Sequence, residues 1–334
     1  MFDCSCSYKG TSLNEELLQG TNLINSLVGV LTRFRLEPVA FMADIEAMFY
    51  QVHVPESQRS FLRFLRWSNG NTDECLLEYE ICVHTFGAIS SPACANVALH
   101  KTAEDNMEEF GFEASKSVKE DFYVDYFLKS KDSAESAIDL ISQTQKMCAS
   151  GGFNLTRIVS NDRTVIESVP DKHRSKNIKN LNLELDSLPV ERALGMSWNM
   201  EDDTLNFRIT LKDLPLTRRG ILATVSSIYD LLRLVSPLLL HGKRILQQIV
   251  ADNKSWDEGV SQEQRSAWER WKNDLKVLDE IEIKRSFKPS HFGKIVSAQI
   301  HHFSDASKVG YGEASYLRLL DDHLSSWQNR GLRH

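Results

Sequence analysis

The sequence has no apolar run long enough to cross a bilayer. Its longest, LLRLVSPLLL over 231–240, is short and is broken by Arg233 and Pro237. The opening MFDCSCSYKG lacks the charged-then-apolar pattern of a secretory signal. The six cysteines, at 4, 6, 75, 82, 94 and 148, form no paired framework, which argues against a disulfide-stapled secreted scaffold. Cys4 and Cys6 make a lone C-x-C with no second ligand pair, whereas zinc asks for four ligands in a recurring spacing. An intracellular, cytoplasmic location with no membrane partner is the expectation, with particle association or nuclear entry as the other options. A basic excess is missing as well. The net charge of −7 is the wrong sign for a surface built to meet phosphate. There is no internal repeat and no low-complexity segment.

What is present is the balance of a globular protein, with 42% hydrophobic and 25% charged residues. A length of 334 residues accommodates two or three domains. Charge is uneven along it. Residues 212–250 hold Lys212, Arg218, Arg219, Arg233, Lys243 and Arg244 against Asp213 and Asp230, a local excess of positive charge. For any one of these the ordinary reading is a solvated helical face.

Leu17, Leu18, Leu23, Ile24, Leu27, Leu31 and Phe34 recur at helical spacing and predict a helix over 17–37, interrupted near Gly20 and ended by Pro38. VAFMADI then reads as a buried strand running into Asp44. FLRFLRW (61–67) and LLEYEICVH (76–84) read as strands around a turn-rich SNGNTDE. A helix follows from Ser91, with Pro92 at its first position. FYVDYFLKS (122–130) alternates as a strand does, with Phe122, Val124, Tyr126 and Leu128 on one face and Tyr123, Asp125, Phe127 and Lys129 on the other. A helix over about 132–150 stops at Gly151-Gly152. Strand-like pieces at 190–198 and 204–211 lead into helices capped at Thr217, at Ser236-Pro237, and by a Ser261/Gln264 capping box. KIVSAQIHHFSDAS and GYGEASYL read as two further strands. The order is a mixed part, a helical part, and the start of another α/β part.

Asp44 ends an apolar strand and Asp125 lies in an aromatic-rich hairpin candidate about 80 positions later. Carboxylates on neighbouring strands can share divalent cations that activate a 3′-hydroxyl and steady a leaving pyrophosphate. Two ordinary strand-end aspartates would look the same.

A resemblance supplies what spacing does not. FMADIEAMFYQV (41–52), FGAISSPACAN (86–96), FYVDYFLKS, GGFNLT (151–156) and LPVERALGMSW (188–198) resemble, in order, the palm motifs of reverse transcriptases. KGTSLNEELLQG (9–20), PLTRRGILATVSSIYD (215–230) and HHFSDASKVGYG (301–312) resemble the Pol polyprotein of BEL/Pao-type LTR retrotransposons. The likeness runs over about residues 2–320, and the tail beyond it carries none.

The resemblance implies an α+β chain: a reverse transcriptase-like palm with partial fingers over 1–200, a helical thumb- or connection-like region over 201–290, and a truncated RNase H-like α/β start over 291–334. It implies an RNA-directed DNA polymerase that uses Mg2+ or Mn2+, dNTPs and an RNA or DNA template–primer, alongside other parts of the Pol polyprotein. Asp44 and Asp125 would be its catalytic, metal-binding acids. Phe49 would stand under the incoming sugar. Phe86, Gly87, Ser91 and Pro92 would line the nucleotide and template, where Gly87 lets backbone come close. Leu194, Gly195 and Trp198 would hold the primer end, and Asp305 would be the first acid of an RNase H-like site. Packing alone would also explain Phe49 as a core aromatic, Gly87 as a turn glycine and the 194–198 residues as an ordinary hairpin.

Departures qualify the activity. Tyr126 stands where the family has a second aspartate, and tyrosine is neutral near pH 7. Asp121, four residues earlier, would lie about 13 Å away along a strand. Glu46 is nearer. In YDLLRL (229–234), Leu231, Arg233 and Leu234 replace the family's proline, glycine and phenylalanine. Each of these, like Asp to Tyr, needs one base change. The basic fingers residues and the remaining RNase H acids are expected to be missing. Severely reduced polymerisation follows. The alternatives are a non-catalytic nucleic-acid-binding module and a decayed retrotransposon remnant. An aspartic peptidase beyond residue 186 would need an Asp-Thr/Ser-Gly tripeptide, and the chain has none.

Overall fold

In a computed structural model, residues 3–207, 211–288, 292–308, 310–322 and 330–333 are described. They fall into two compact units, Met1–Leu183 and Glu184–His334. No helix among the described residues is long and apolar enough to cross a membrane. Their cysteines are free thiols.

The first unit is built on an antiparallel sheet in the order β4-β5-β1-β6, with β1 Val39–Ile45, β4 Phe122–Tyr123, β5 Tyr126–Lys131 and β6 Leu155–Ser160. VAFMADI is apolar almost throughout because β1 is central and nearly all of it is buried. Phe41 and Ile45 join a core that also holds Leu99, Phe127, Leu140 and Phe153. The helices packed there include α2 (Ser91–Asp105), α3 (Phe112–Glu120) and α4 (Ala134–Ser150), following α1 (Leu27–Phe34) earlier in the chain. Ser133 caps α4 by accepting from the Ser136 amide.

Two expectations need correction. The helix expected over 17–37 shrinks to Leu13–Glu16 and α1. Gly20 sits at φ +80°, and a Cβ there would come within 2.7 Å of the Ala93 Cβ. That backbone cannot continue a helix, so the leucine spacing at 17–23 is overridden. FYVDYFLKS is also not one alternating strand. The chain reverses at Val124-Asp125, so Phe122 pairs with Phe127 and Tyr123 with Tyr126. Phe122 and Phe127 therefore share a face, with ring centroids 4.7 Å apart and planes 8° from parallel.

Between β1 and α2 runs a two-stranded ribbon, β2 Arg63–Trp67 and β3 Leu76–Glu80, exposed along its whole length.

The second unit has a four-stranded sheet in the order β10-β9-β8-β7, with β7 Val190–Ala193, β8 Met196–Asn199, β9 Thr204–Asn206 and β10 Glu282–Lys284. The hairpin grouped with residues 1–200 in the sequence reading thus pairs within this unit. Helices α5 (Arg218–Ser227), α6 (Ser236–Ala251) and α7 (Gln262–Asp274) share a core around Ile221, Ile249, Trp268 and Trp271. The caps at Thr217 and Ser261 form as the sequence predicts. Strand β11 (Ile295–Ser307) pairs with β12 (Gly310–Asp321), and β12 with β13 (Arg330–Arg333). The tail after about residue 320 falls mostly outside the described residues.

Candidate active site on the first unit

Strand pairing joins the two candidate acids. Asp44, at the end of β1, is the cross-strand partner of Tyr126, and the Ile45 amide donates to the Asp125 carbonyl at 2.9 Å. Asp125 occupies the hairpin turn beside Val124, which is held at φ +58°. A β-branched residue there is an outlier, imposed by the turn. Burial first, and then the neighbouring Asp125 charge, push the Asp44 carboxyl up to about 6, with Arg157 acting in the opposite direction. Burial also raises Asp125, and it raises the Tyr126 phenol ahead of the two acids. The pair therefore sits together in a poorly hydrated place.

The other acids nearby serve different ends. Asp121 is not a replacement for the absent second aspartate. Its buried carboxylate takes Arg33 Nε at 2.7 Å and Lys129 Nζ at 2.6 Å, which ties α1 to the hairpin. Glu46 accepts from Asn154 Nδ2 at 2.8 Å. Arg157, on β6, reaches to 3.7 Å from Asp44. Among the described residues no group of three or more His, Cys, Asp or Glu side chains gathers where it could hold a metal ion. Two carboxylates facing a guanidinium do not fit a two-ion magnesium or manganese site, which the resemblance led us to expect.

Phe49 follows on a single 3-10 turn, Met48–Gln51, and is nearly buried. Its ring centroid is 4.6 Å from that of the half-exposed Phe86. Gly87 has φ +106°. The segment is braced by Asn14, whose Nδ2 donates to the Gly87 carbonyl at 2.9 Å while its Oδ1 accepts from the Ile89 amide. Ser91 and Pro92 open α2, and the Ser91 hydroxyl lies 3.4 Å from His84 Nδ1. Phe49, Phe86 and Gly87 thus come together.

In the second unit, Leu194 (φ +49°) and Gly195 (φ +93°) form the two-residue turn between β7 and β8. A Cβ at Gly195 would meet the Tyr229 ring at 2.5 Å, so only glycine fits. The turn edges a cavity of about 290 Å3 lined by Arg192, Ser197, Asn206, Ser227 and Tyr229 among others. Trp198 packs inside the unit. It is fully buried and donates to Asp203 Oδ1 at 3.0 Å. The same carboxylate takes the buried Arg285 guanidinium at 2.7 and 2.9 Å. Asp305 lies exposed on β11 opposite Gly312, its Oδ1 accepting from the Ala306 amide.

Residues 217–328, about a third of the chain, match a family model described as the Pao retrotransposon-like RNaseH-like domain. That match supports a likeness to the Pol proteins of BEL/Pao-type retrotransposons. The matched segment takes in α5 to α7 as well as β11 and β12. The RNaseH-like description therefore extends over residues that the sequence resemblance assigned to a thumb- or connection-like region. No curated protein matches the chain. Among solved structures it is similar to the foamy viral protease–reverse transcriptase in complex with double-stranded DNA, at a TM-score of 0.56 and 12% identity. That match covers 96% of this chain and 47% of the viral one, so the chain spans about half the viral protein's length. The fold is mixed α/β and resembles that of a retroviral reverse transcriptase.

Arg157, Asn14 and the Asp203–Arg285 pair were not singled out from sequence. A basic residue directly after GGFNLT was the available signal for Arg157. Nothing local points from Asp203 to Arg285, 82 positions on.

Proposed function

We propose that residues 1–200 are a reverse transcriptase palm with partial fingers that binds an RNA or DNA template–primer, and that its nucleotidyl transfer is severely reduced. In this reading residues 1–200 are the palm part, 201–290 a thumb- or connection-like region, and 291–334 the start of an RNase H-like part. The observation that carries it is the pairing of Asp44 with Tyr126, which brings Asp44 beside Asp125 and sets a phenol where a third carboxylate would complete the cluster. The solved viral relative was captured on double-stranded DNA, which supports nucleic acid as the partner.

Phe49, Phe86 and Gly87 would form the floor for a dNTP, with Ser91 and Pro92 beside the template. Leu194 and Gly195 would present backbone to the primer end, with Trp198 holding the hairpin from behind. Asp305 would be the first acid of the RNase H-like part. A single Mg2+ or Mn2+ between Asp44 and Asp125 is the cofactor the acids could still take.

The test is primer extension on an RNA template with Mg2+ or Mn2+, comparing wild type, Asp125→Asn and Tyr126→Asp. Extension is expected to be weak in wild type, lost in Asp125→Asn and raised in Tyr126→Asp. Efficient wild-type extension that ignores Asp125→Asn would overturn the palm reading. A non-catalytic binding module is favoured instead if template–primer binding persists with the normal salt dependence while every variant fails to extend. The guanidinium beside Asp44 is the observation on its side.

A further inference from the structure

Arg157 combines two unusual features. It lies in β6 where the pairing with β1 slips. Met42 pairs with Val159 and Asp44 with Thr156, so β6 carries one extra residue against β1. Such a bulge re-aims a side chain. Arg157 also has φ +54°, the left-handed region that an L-residue with a Cβ enters only against steric strain. Strain of this kind persists where the surroundings over-determine it. The result here is a guanidinium 3.7 Å from Asp44 Oδ2, on a side chain that remains largely exposed.

We infer that Arg157 is the resident counter-ion of the Asp44–Asp125 pair and competes with divalent cations for it. This rests on reading Asp44 and Asp125 as the cation-facing acids of the palm. With Tyr126 uncharged, the pair offers two negative charges and Arg157 cancels one of them. From the pair and Arg157 together an arriving divalent ion meets a net single negative charge, to which Glu46 adds a weaker contribution. A palm with three acids and no such arginine would offer three. Even at the dielectric of water, a divalent ion and a guanidinium about 6 Å apart repel enough to change affinity about tenfold. Tyr126 and Arg157 thus act in the same direction, one by withholding a charge and the other by neutralising one.

The experiment is a Mn2+ titration of the full chain at neutral pH and low salt. Free Mn2+ is followed by its electron paramagnetic resonance signal, and thermal unfolding checks that each variant is folded. Arg157→Gly removes the charge at a position whose backbone suits glycine, and Arg157→Lys keeps the charge. Asp44→Asn locates the bound ion. The expected result is that Arg157→Gly binds Mn2+ about tenfold more tightly than wild type. Arg157→Lys should stay near wild type, and Asp44→Asn in the Arg157→Gly background should lose the gain. Equal affinity in wild type and Arg157→Gly, with binding still lost on Asp44→Asn, overturns the inference and leaves the palm reading standing. Tightening in Arg157→Lys equal to that in Arg157→Gly also overturns it, because charge would not be the cause. No Mn2+ bound by any variant overturns both.

Discussion

Tyr126 is the cross-strand partner of Asp44, and the residue is still 40% exposed. Directly paired residues bring their Cβ atoms to within about 5.5 Å on one face of a sheet. Tyr126→Asp would add a third negative charge to two acids already raised by burial. The variant is expected to melt at a lower temperature than wild type in metal-free buffer, and to gain more than wild type when Mn2+ is added. Differential scanning fluorimetry with and without Mn2+ reads both effects. A Mn2+ response no larger than that of wild type would show that position 126 does not face the acid pair.

The Asp44 carboxyl, pushed up to about 6, lies above its unfolded value of about 3.9. The folded chain therefore holds this proton more tightly than the unfolded chain. Its stabilising effect is complete below about pH 4 and fades as pH rises through about 6. Asp44→Asn removes the titration. It is expected to match wild type near pH 4, exceed it at pH 7, and flatten the profile between. Urea unfolding across that range measures the difference, and parallel profiles would contradict it.

Asp203 is the partner of a fully buried guanidinium, that of Arg285, and of the Trp198 indole. Breaking a buried pair from one side leaves an uncompensated charge and costs about 3–5 kcal/mol. Asp203→Ala should therefore unfold the second unit far more readily than wild type, followed by tryptophan fluorescence. The double variant Asp203→Ala, Arg285→Met should recover much of that loss. Failure to recover would mean that the pair supports the fold by more than mutual neutralisation.

Arg233 stands in the loop before α6 at φ +55°, where the family's glycine would sit without strain. Asp230 organises that loop by accepting from the Leu234 and Val235 amides. Arg233→Gly is expected to stabilise the chain by about 0.5–1 kcal/mol, because strain relief exceeds the added freedom of the unfolded chain. Arg233→Ala, which keeps a Cβ, should show no such gain. Thermal melts of the two variants decide it.

Much of the architecture was legible from pattern. VAFMADI announced a buried strand, and Thr217 and Ser261 announced helix starts, because burial and capping act within a few residues. Two local readings failed for identifiable reasons. Leucines at 17–23 keep helical spacing, but Gly20 is pressed against Ala93, a contact 73 positions away that no window contains. FYVDYFLKS hides its turn because Val124 takes a backbone conformation normally left to glycine or asparagine. The meeting of Asp44 with Asp125 was legible only through the family motifs, since spacing carries no register between distant strands. Arg157 was missed because a bulge, not a motif, aims it.

The triad of Asp121, Arg33 and Lys129 bears on how this sequence can change over generations. Asp121 is sealed inside and bonded to two cations, so replacing it would cost the hairpin its anchor. Position 126, five residues on, is half open to solvent and holds no such anchor. Purging of unstable variants acts strongly on the first position and weakly on the second. A lineage under selection for a folded chain alone would keep Asp121 and let residue 126 wander, so the shape can persist while that position changes.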